Sequence, residues 1–331
     1  VLARPLPNVD LGFTIEPLGA LAAVVLTGLG FLHAVHAAGV VRASGEKAPA
    51  RLMAFIALAV AAALAVAFSA NLFSLFIAYQ ALILAVFPLV AHRGDDEARA
   101  AGRTFLATLL ASSIILLLPA MIGVYALAGA LDFQPGGVLA GRVGVLGANV
   151  LLVLFVFGLA MAAMPPMHRW LTMTTRAPYP TLVVVQALAV LPVGGLALLK
   201  VLAYVFGPVL ATARVSAIAL LTLACVGMCV AALIALSRQD LRERLAYSCM
   251  AQALAVVLGG LLALPAGLFA AMLQIVATSC AATTLLMATA TVSVITGRTN
   301  VIDFFGLGRV MSWTFAGFAL ASASMIGMPP F

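Results

Sequence analysis

Ten apolar stretches follow one another along this chain with only short polar connections between them. They cover residues 18–41, 52–70, 71–91, 104–131, 143–190, 192–213, 215–237, 245–264, 266–296 and 310–331. About 20 apolar residues of helix are enough to cross a hydrocarbon core, so the pattern predicts an all-α, polytopic transmembrane helix bundle. The run from 52 to 91 is twice that length and divides naturally at Ser69-Ala70-Asn71. Composition agrees: 65% of the residues are hydrophobic and 8% are charged, against roughly 25% charged in a soluble domain. The sequence pI is 9.8, but the basic residues lie in the loops between apolar runs. They read as topology signals and lipid-headgroup contacts, not as a nucleic-acid surface.

One run is interrupted. Met164-Pro-Pro-Met-His168-Arg-Trp170-Leu171 places two prolines, a histidine and an arginine inside 143–190, and Arg176, Pro178 and Pro180 follow. Proline removes a backbone donor and breaks a helix, and irregular backbone at membrane depth survives only where protein or a wet cavity satisfies it. Broken helices of this kind point to ion or substrate pathways. The expectation is a discontinuous helix near residues 165–178, with Pro165, Pro166, Trp170 and Pro178 marking the break.

Loop charge decides how often this region crosses. As a single broken crossing it leaves the loops 42–51, 92–103, 238–244 and 297–309 on one face, with eleven Lys and Arg residues. Arg4, Arg142 and Arg214 then lie on the other. Two crossings would scatter the basic loops over both sides, against the positive-inside rule. One crossing is therefore favoured, with the eleven-charge face cytoplasmic, as in a multi-pass protein of a bacterial or archaeal cytoplasmic membrane. The whole of 1–331 then forms a single membrane domain of about ten crossings. The chain starts at Val1 without a methionine, lacks the basic-then-apolar start of a signal peptide, and stops at Gly327-Met-Pro-Pro-Phe331. This predicts a part of a longer polypeptide, incomplete at both ends, or one piece of a split one.

The polar residues available for chemistry are few. His33 and His36 share a helical face, which suits polar contacts in a bundle; a metal there lacks a third ligand in sequence, and neither a metal nor a cofactor is expected. Cys225, Cys229, Cys249 and Cys280 read as small buried residues. His168, beside the double proline, either serves a hydrated pocket or ties the broken backbone. Lys200 by default snorkels from near a helix end; the sharper reading is an ionisable group in the bundle interior. Arg242, Glu243 and Arg244 read by default as a solvated loop cluster, with subunit docking or lipid contact as the alternative. Gly194-Gly195 suggests a close helix approach or a kink.

Three separated patches resemble one family, the antiporter-like membrane subunits shared by respiratory complex I (NADH:quinone oxidoreductase), Mrp-type cation/proton antiporters and membrane-bound hydrogenases. Pro166-Met-His168-Arg-Trp170-Leu171 followed by Ala177-Pro178 is similar to that family's P-x-H-x-W-L-P…A-P pattern at its broken helix. Gln239-Asp240-Leu-Arg242-Glu-Arg244-Leu-Ala246-Tyr247-Ser248 resembles Q-x-D-[IL]-K-R-x-x-A-Y-S-S, and Gly327-Met-Pro329-Pro330 resembles the G-[IL]-P opening of a second broken helix. The resemblance implies ion-pathway candidates at His168, Lys200, Gln80 and Gln252, and loop or docking candidates at Asp240, Arg242, Arg244 and Tyr247.

The departures from the family pattern bear on mechanism. Where the family pairs a glutamate with a lysine, this chain carries Tyr79-Gln80 and Met161. The next helix's lysine falls at Leu191, with Lys200 nearer the family's arginine, and two later histidines are replaced by Gln252 and Thr278. The acid of the second broken helix would lie beyond Phe331. Independently of any family, no Asp or Glu occurs inside any of the ten runs, although proton wires need groups that titrate or waters held between them. The resemblance thus implies a cofactor-free, antiporter-like subunit of a complex-I-related assembly, either conducting or degenerate. Gln80, Met161 and Leu191 favour the degenerate form. Such a subunit is at most a non-catalytic part of an NADH:quinone oxidoreductase-like or hydrogenase-like translocase, partnered by other membrane subunits and lipids. The alternatives are an Mrp-type antiporter subunit, a membrane subunit of an inorganic-carbon uptake complex, and a structural scaffold.

Overall fold

The computed structural model describes residues 3–6 and 9–328, so Pro329 and Pro330 of the third motif lie outside the described residues. Two short antiparallel strands, β1 (Ala3–Leu6) and β2 (Val9–Leu11), precede the bundle. The helices are α1 (Pro17–Ser44), α2 (Pro49–Ala67), α3 (Leu72–Val90), α4 (Asp96–Ser112), α5 (Leu118–Ala128), α6 (Val145–Gly158) and α7 (Arg169–Met173). They continue with α8 (Tyr179–Val183), α9 (Leu191–Lys200), α10 (Arg214–Ser237), α11 (Leu241–Leu261), α12 (Pro265–Thr296) and α13 (Ser312–Ile326). A π-helical turn, Ser113–Leu117, joins α4 to α5; another, Val184–Leu188, joins α8 to α9; a third, Val201–Phe206, extends α9. Eight helical stretches among the described residues are long and apolar enough to cross a membrane, and α6 and α13 are shorter apolar helices.

Local sequence sets the helix starts. The division expected at Ser69-Ala70-Asn71 falls where Asn71 caps α3, its Oδ1 accepting the Ser74 amide at 2.8 Å. Asp95 caps α4 by accepting from the Ala98 amide, and Asp240 caps α11 by accepting from Arg242. Each satisfies one of the donors that a helix start leaves free. The stretch Tyr179–Ala211 is almost wholly buried and forms the centre of the bundle, with the other helices packed around it.

The connections sort onto two ends of the bundle. At one end, Arg93 pairs with Glu46 at 3.4 Å, Arg51 donates to the His92 carbonyl, and Arg176 pairs with Glu97 at 2.9 Å. Arg242 lies 3.9 Å over the Tyr179 ring, and the Leu241 amide donates to the Thr299 carbonyl. These contacts gather 42–51, 92–97, 174–179, 238–244 and 297–303 on a single basic face. At the opposite end, backbone hydrogen bonds join Thr14 to Phe68, Leu72 to Leu131, Val138 to Tyr204 and Leu139 to Val205.

Two expectations need correction. The interrupted run does not extend to 190: the chain reaches the basic face at Arg176, and Tyr179–Ala211 is the next long helix. Pro178 and Pro180 therefore open that helix, in the first turn where a missing amide hydrogen is harmless. Of the four cysteines, only Cys249 is buried; Cys225, Cys229 and Cys280 are exposed. They sit on the outward stripes of α10 and α12, where apolar residues face lipid as readily as core.

Candidate functional site

Between α6 and α7 the chain is not α-helical. Residues 160–162 form one 3-10 turn, the Pro165–Pro166 bond is cis, and helix resumes only at Arg169. Residues 159–164 are buried, whereas Pro165 to His168 are half-buried or exposed, and several of the backbone polar groups find partners within the protein. The Met161 amide donates to the Tyr79 hydroxyl at 3.0 Å, and Trp170 Nε1 donates to the Ala160 carbonyl at 3.0 Å. The amides of Ala162, Ala163 and Met167 close local turns onto Leu159, Ala160 and Met164, while the two prolines remove donors that would otherwise need partners. Gly194 of α9 lies so close that a Cβ there would stand 2.4 Å from the Met161 carbonyl carbon. Of the four residues expected to mark the break, Pro165 and Pro166 lie within it, Trp170 ties it from the first turn of α7, and Pro178 lies outside it. His168 is half-buried at its edge, and its Nδ1 is buried without a hydrogen-bond partner.

The interior polar groups cluster near half-depth. Gln80 is the ninth of 19 residues in α3, Gln252 the twelfth of 21 in α11, and Thr278 the fourteenth of 32 in α12. Gln80 Oε1 accepts from Ser113 Oγ at 3.2 Å, at the start of the first π-helical turn. Gln274 donates both to Gln252 and, at 3.2 Å, to Thr278, and Gln252 donates to the Met325 carbonyl at 2.8 Å. Beside the second of these groups Gln186 is fully buried, with neither amide atom hydrogen-bonded, next to a cavity of about 20 Å³ also lined by Gln252 and Thr278. That volume has room for one water. The site is thus a row of amides, hydroxyls and carbonyls.

Lys200 stands apart from that row and does not snorkel. It is fully buried and pairs with Glu16 at 2.7 Å. Glu16 is the residue before α1, so no acid is needed inside a span to place a carboxylate against the bundle's lysine. His33 is fully buried without a hydrogen bond of ordinary geometry, and His36 Nε2 lies 3.0 Å from Thr291 Oγ1. Among the described residues no three His, Cys, Asp or Glu come together as a metal site.

The loop candidates are more than a solvated cluster. Asp240 caps α11 and pairs through its backbone with Asn300, Arg242 stacks on Tyr179, and Arg238 lies 5.7 Å over Tyr247 while pairing with Glu243 at 3.4 Å. Arg244 lines a separate cavity of about 650 Å³ bounded by α10, α11, α12 and α13. Sequence reading missed Glu16, Ser113, Gln186 and Gln274 and the acceptor role of Tyr79. A lone amide in the run from Tyr179 to Leu199 was the available signal for Gln186.

A family model described as NADH:quinone oxidoreductase/Mrp antiporter, TM, matches residues 69–331. The chain is 28% identical over 331 residues to NADH-quinone oxidoreductase subunit N of Desulforudis audaxviator, covering 98% of this chain and 64% of that protein. It is 26% identical over 348 residues to NAD(P)H-quinone oxidoreductase chain 5 of Picosynechococcus sp., covering 98% of this chain and 50% of that protein. Its fold is similar to a chain of the Mrp complex from Dietzia sp., with TM-score 0.83 and 23% identity over 100% of this chain and 36% of that one. It is also similar to a chain of the membrane-bound sulfane sulfur reductase, an archaeal respiratory membrane complex, with TM-score 0.80 and 21% identity over 94% of this chain and 63% of that one. The chain spans about half to two thirds of the length of the curated relatives it matches.

Proposed function

Because this chain belongs to the NADH:quinone oxidoreductase/Mrp antiporter transmembrane family, we propose that it is an antiporter-like membrane subunit whose own mid-membrane row does not carry protons. It serves a complex-I-related or Mrp-type assembly through its partner subunits. The observation that carries this reading is the chemistry of the row. Ser113 donates to Gln80, and separately Gln274 donates to Gln252 and Thr278, all near the middle of their helices, and amides and alcohols neither take up nor release protons near neutral pH. The Tyr79 hydroxyl is engaged by the Met161 amide and holds backbone. Such a row can orient water without supplying the titrating groups of a proton relay.

In this reading the chain makes ten crossings, the eight long helices together with α6 and α13. The segment from α6 to Arg176 is one discontinuous crossing. The basic face is cytoplasmic by the positive-inside rule, in a bacterial or archaeal cytoplasmic membrane. Outward apolar residues such as Phe31, Leu146, Leu233 and Phe269 meet lipid or the lateral faces of other membrane subunits.

The test is ion flux in the reconstituted parent assembly. Gln80→Leu and Gln252→Leu are expected to leave proton flux unchanged at normal subunit assembly. Abolished flux with assembly intact would make the row a conducting path and sink the proposal.

A further inference from the structure

The end of the bundle opposite the basic face holds a second polar site, separate from the half-depth row. Five oxygens surround Lys200 Nζ: Glu16 Oε1 at 2.7 Å, Ala67 O at 2.8 Å, Ser69 O at 2.9 Å, Ser69 Oγ at 3.1 Å and Val66 O at 3.4 Å. The Ser69 hydroxyl hydrogen is directed at Val66 O, at 2.8 Å, which turns the Ser69 lone pairs toward the ammonium. An ammonium has three hydrogens to donate, fewer than the oxygens assembled around it. A spherical cation has no such limit. One carboxylate and a group of carbonyls at an unwound helix C-terminus is the donor set that binds alkali cations in membrane proteins, and the negative end of the α2 dipole adds to it.

The surrounding sequence builds this cage. Pro17 starts α1 immediately after Glu16, and Gly19 lets the first turn of α1 lie against the end of α2, where a Cβ would stand 2.2 Å from the Ala67 carbonyl oxygen. Lys200 is fully buried while the Glu16 side chain keeps 13% of its surface exposed, so the cage has a route to solvent on the carboxylate side.

We propose that Glu16, Val66, Ala67 and Ser69 form a binding site for an alkali cation, Na⁺ or K⁺, and that the Lys200 ammonium is its resident, tethered competitor. Lys200 thereby keeps free cations out of this end of the bundle. Without the ammonium, the carboxylate and the carbonyl dipoles face one another in a low-dielectric setting where their repulsion is poorly screened, and a free cation relieves it. The site stands independently of whether the half-depth row conducts.

The experiment compares the full chain in detergent with its Lys200→Met variant. Thermal unfolding is followed by tryptophan fluorescence in choline chloride, NaCl or KCl at equal ionic strength. In choline chloride Lys200→Met should melt below the parent protein. NaCl or KCl should then raise its midpoint by about 2–4 °C, while the parent protein shows no such cation-specific rise. The double variant Glu16→Gln/Lys200→Met should lose the response. The proposal is overturned by an equal midpoint for Lys200→Met in all three salts, by the same rise in the parent protein, or by a rise that survives Glu16→Gln. Should Lys200→Met not fold in choline chloride, its recovery in NaCl or KCl supports the site, and failure in all three salts overturns it. Lys200→Gln, which keeps two donors in the cage, is carried alongside and should respond less.

Discussion

Tyr79→Phe isolates the bond that holds the irregular backbone after α6. Tyr79 is fully buried, and its hydroxyl is the acceptor for the Met161 amide at 3.0 Å. Phenylalanine keeps the ring and leaves no cavity of consequence, so overpacking and cavity terms are small. What changes is that a buried N–H loses its partner where neither water nor another carbonyl replaces it. An orphaned buried donor costs about 1–3 kcal/mol, and we expect the upper half of that range because hydrocarbon offers no compensation. The assay is equilibrium unfolding in mixed micelles, with the fluorescence of Trp170 as the probe. Trp170 bonds to Ala160, the neighbour of Met161, whereas Trp313 is 92% exposed. A Trp313→Phe background therefore confines the signal to the break. A destabilisation below about 0.5 kcal/mol, in a protein whose Trp170 spectrum is unchanged, would mean that the Met161 amide is satisfied elsewhere and that Tyr79 is not what holds the break.

Three other substitutions probe the same framework. Gly194→Ala drives a methyl into the Met161–Ala162 backbone and should cost at least about 2 kcal/mol, read as a lost midpoint or lost folded yield; a neutral result would refute the close approach. Gln186→Met removes an amide with no hydrogen-bond partner at similar volume, and should stabilise by about 1 kcal/mol in the same micelle titration; destabilisation would show that the amide is bonded through water. Arg242→Ala deletes the cation stacked 3.9 Å over Tyr179 and should cost about 0.5–2 kcal/mol, with faster proteolysis of the 238–244 loop as a second reading.

Much of the bundle is legible in the chain because hydrocarbon leaves little choice. Apolar length fixes where α1, α2, α3, α10, α11 and α12 run to within a few residues. Loop charge gathers 42–51 with 238–244, as the contacts of Glu46, Arg93, Arg176 and Arg242 do. The end of the interrupted run was not legible, because Arg176 and Pro178 break the pattern equally well as the middle of one crossing or the start of the next. Hydropathy does not say which side of a proline turns back. The partner of Lys200 was hidden for another reason: Glu16 is 184 residues away in sequence and lies just outside an apolar run, where a carboxylate looks like ordinary loop. The half-depth row was half legible. Gln80 and Gln252 stood out only through the resemblance, at positions where the family carries a glutamate and a histidine, whereas Gln274 and Ser113 join them only through helix packing.

The π-helical turns carry a consequence for how this chain tolerates length changes. Each accommodates one residue more than an α-helical turn would, so the helix beyond it is rotated by about 100° from its uninterrupted phase. Deleting one residue inside Ser113–Leu117 would return α4 and α5 to a continuous α-helix and swing one flank around by that angle. Ser113, buried on the side that meets Gln80, and Ile115, 66% exposed on the outer side, could then no longer both keep their places. Length at the two turns that are followed by α-helix, Ser113–Leu117 and Val184–Leu188, is therefore coupled to which residues face inward, and a single-residue gap there would change an interior surface without altering one interior amino acid.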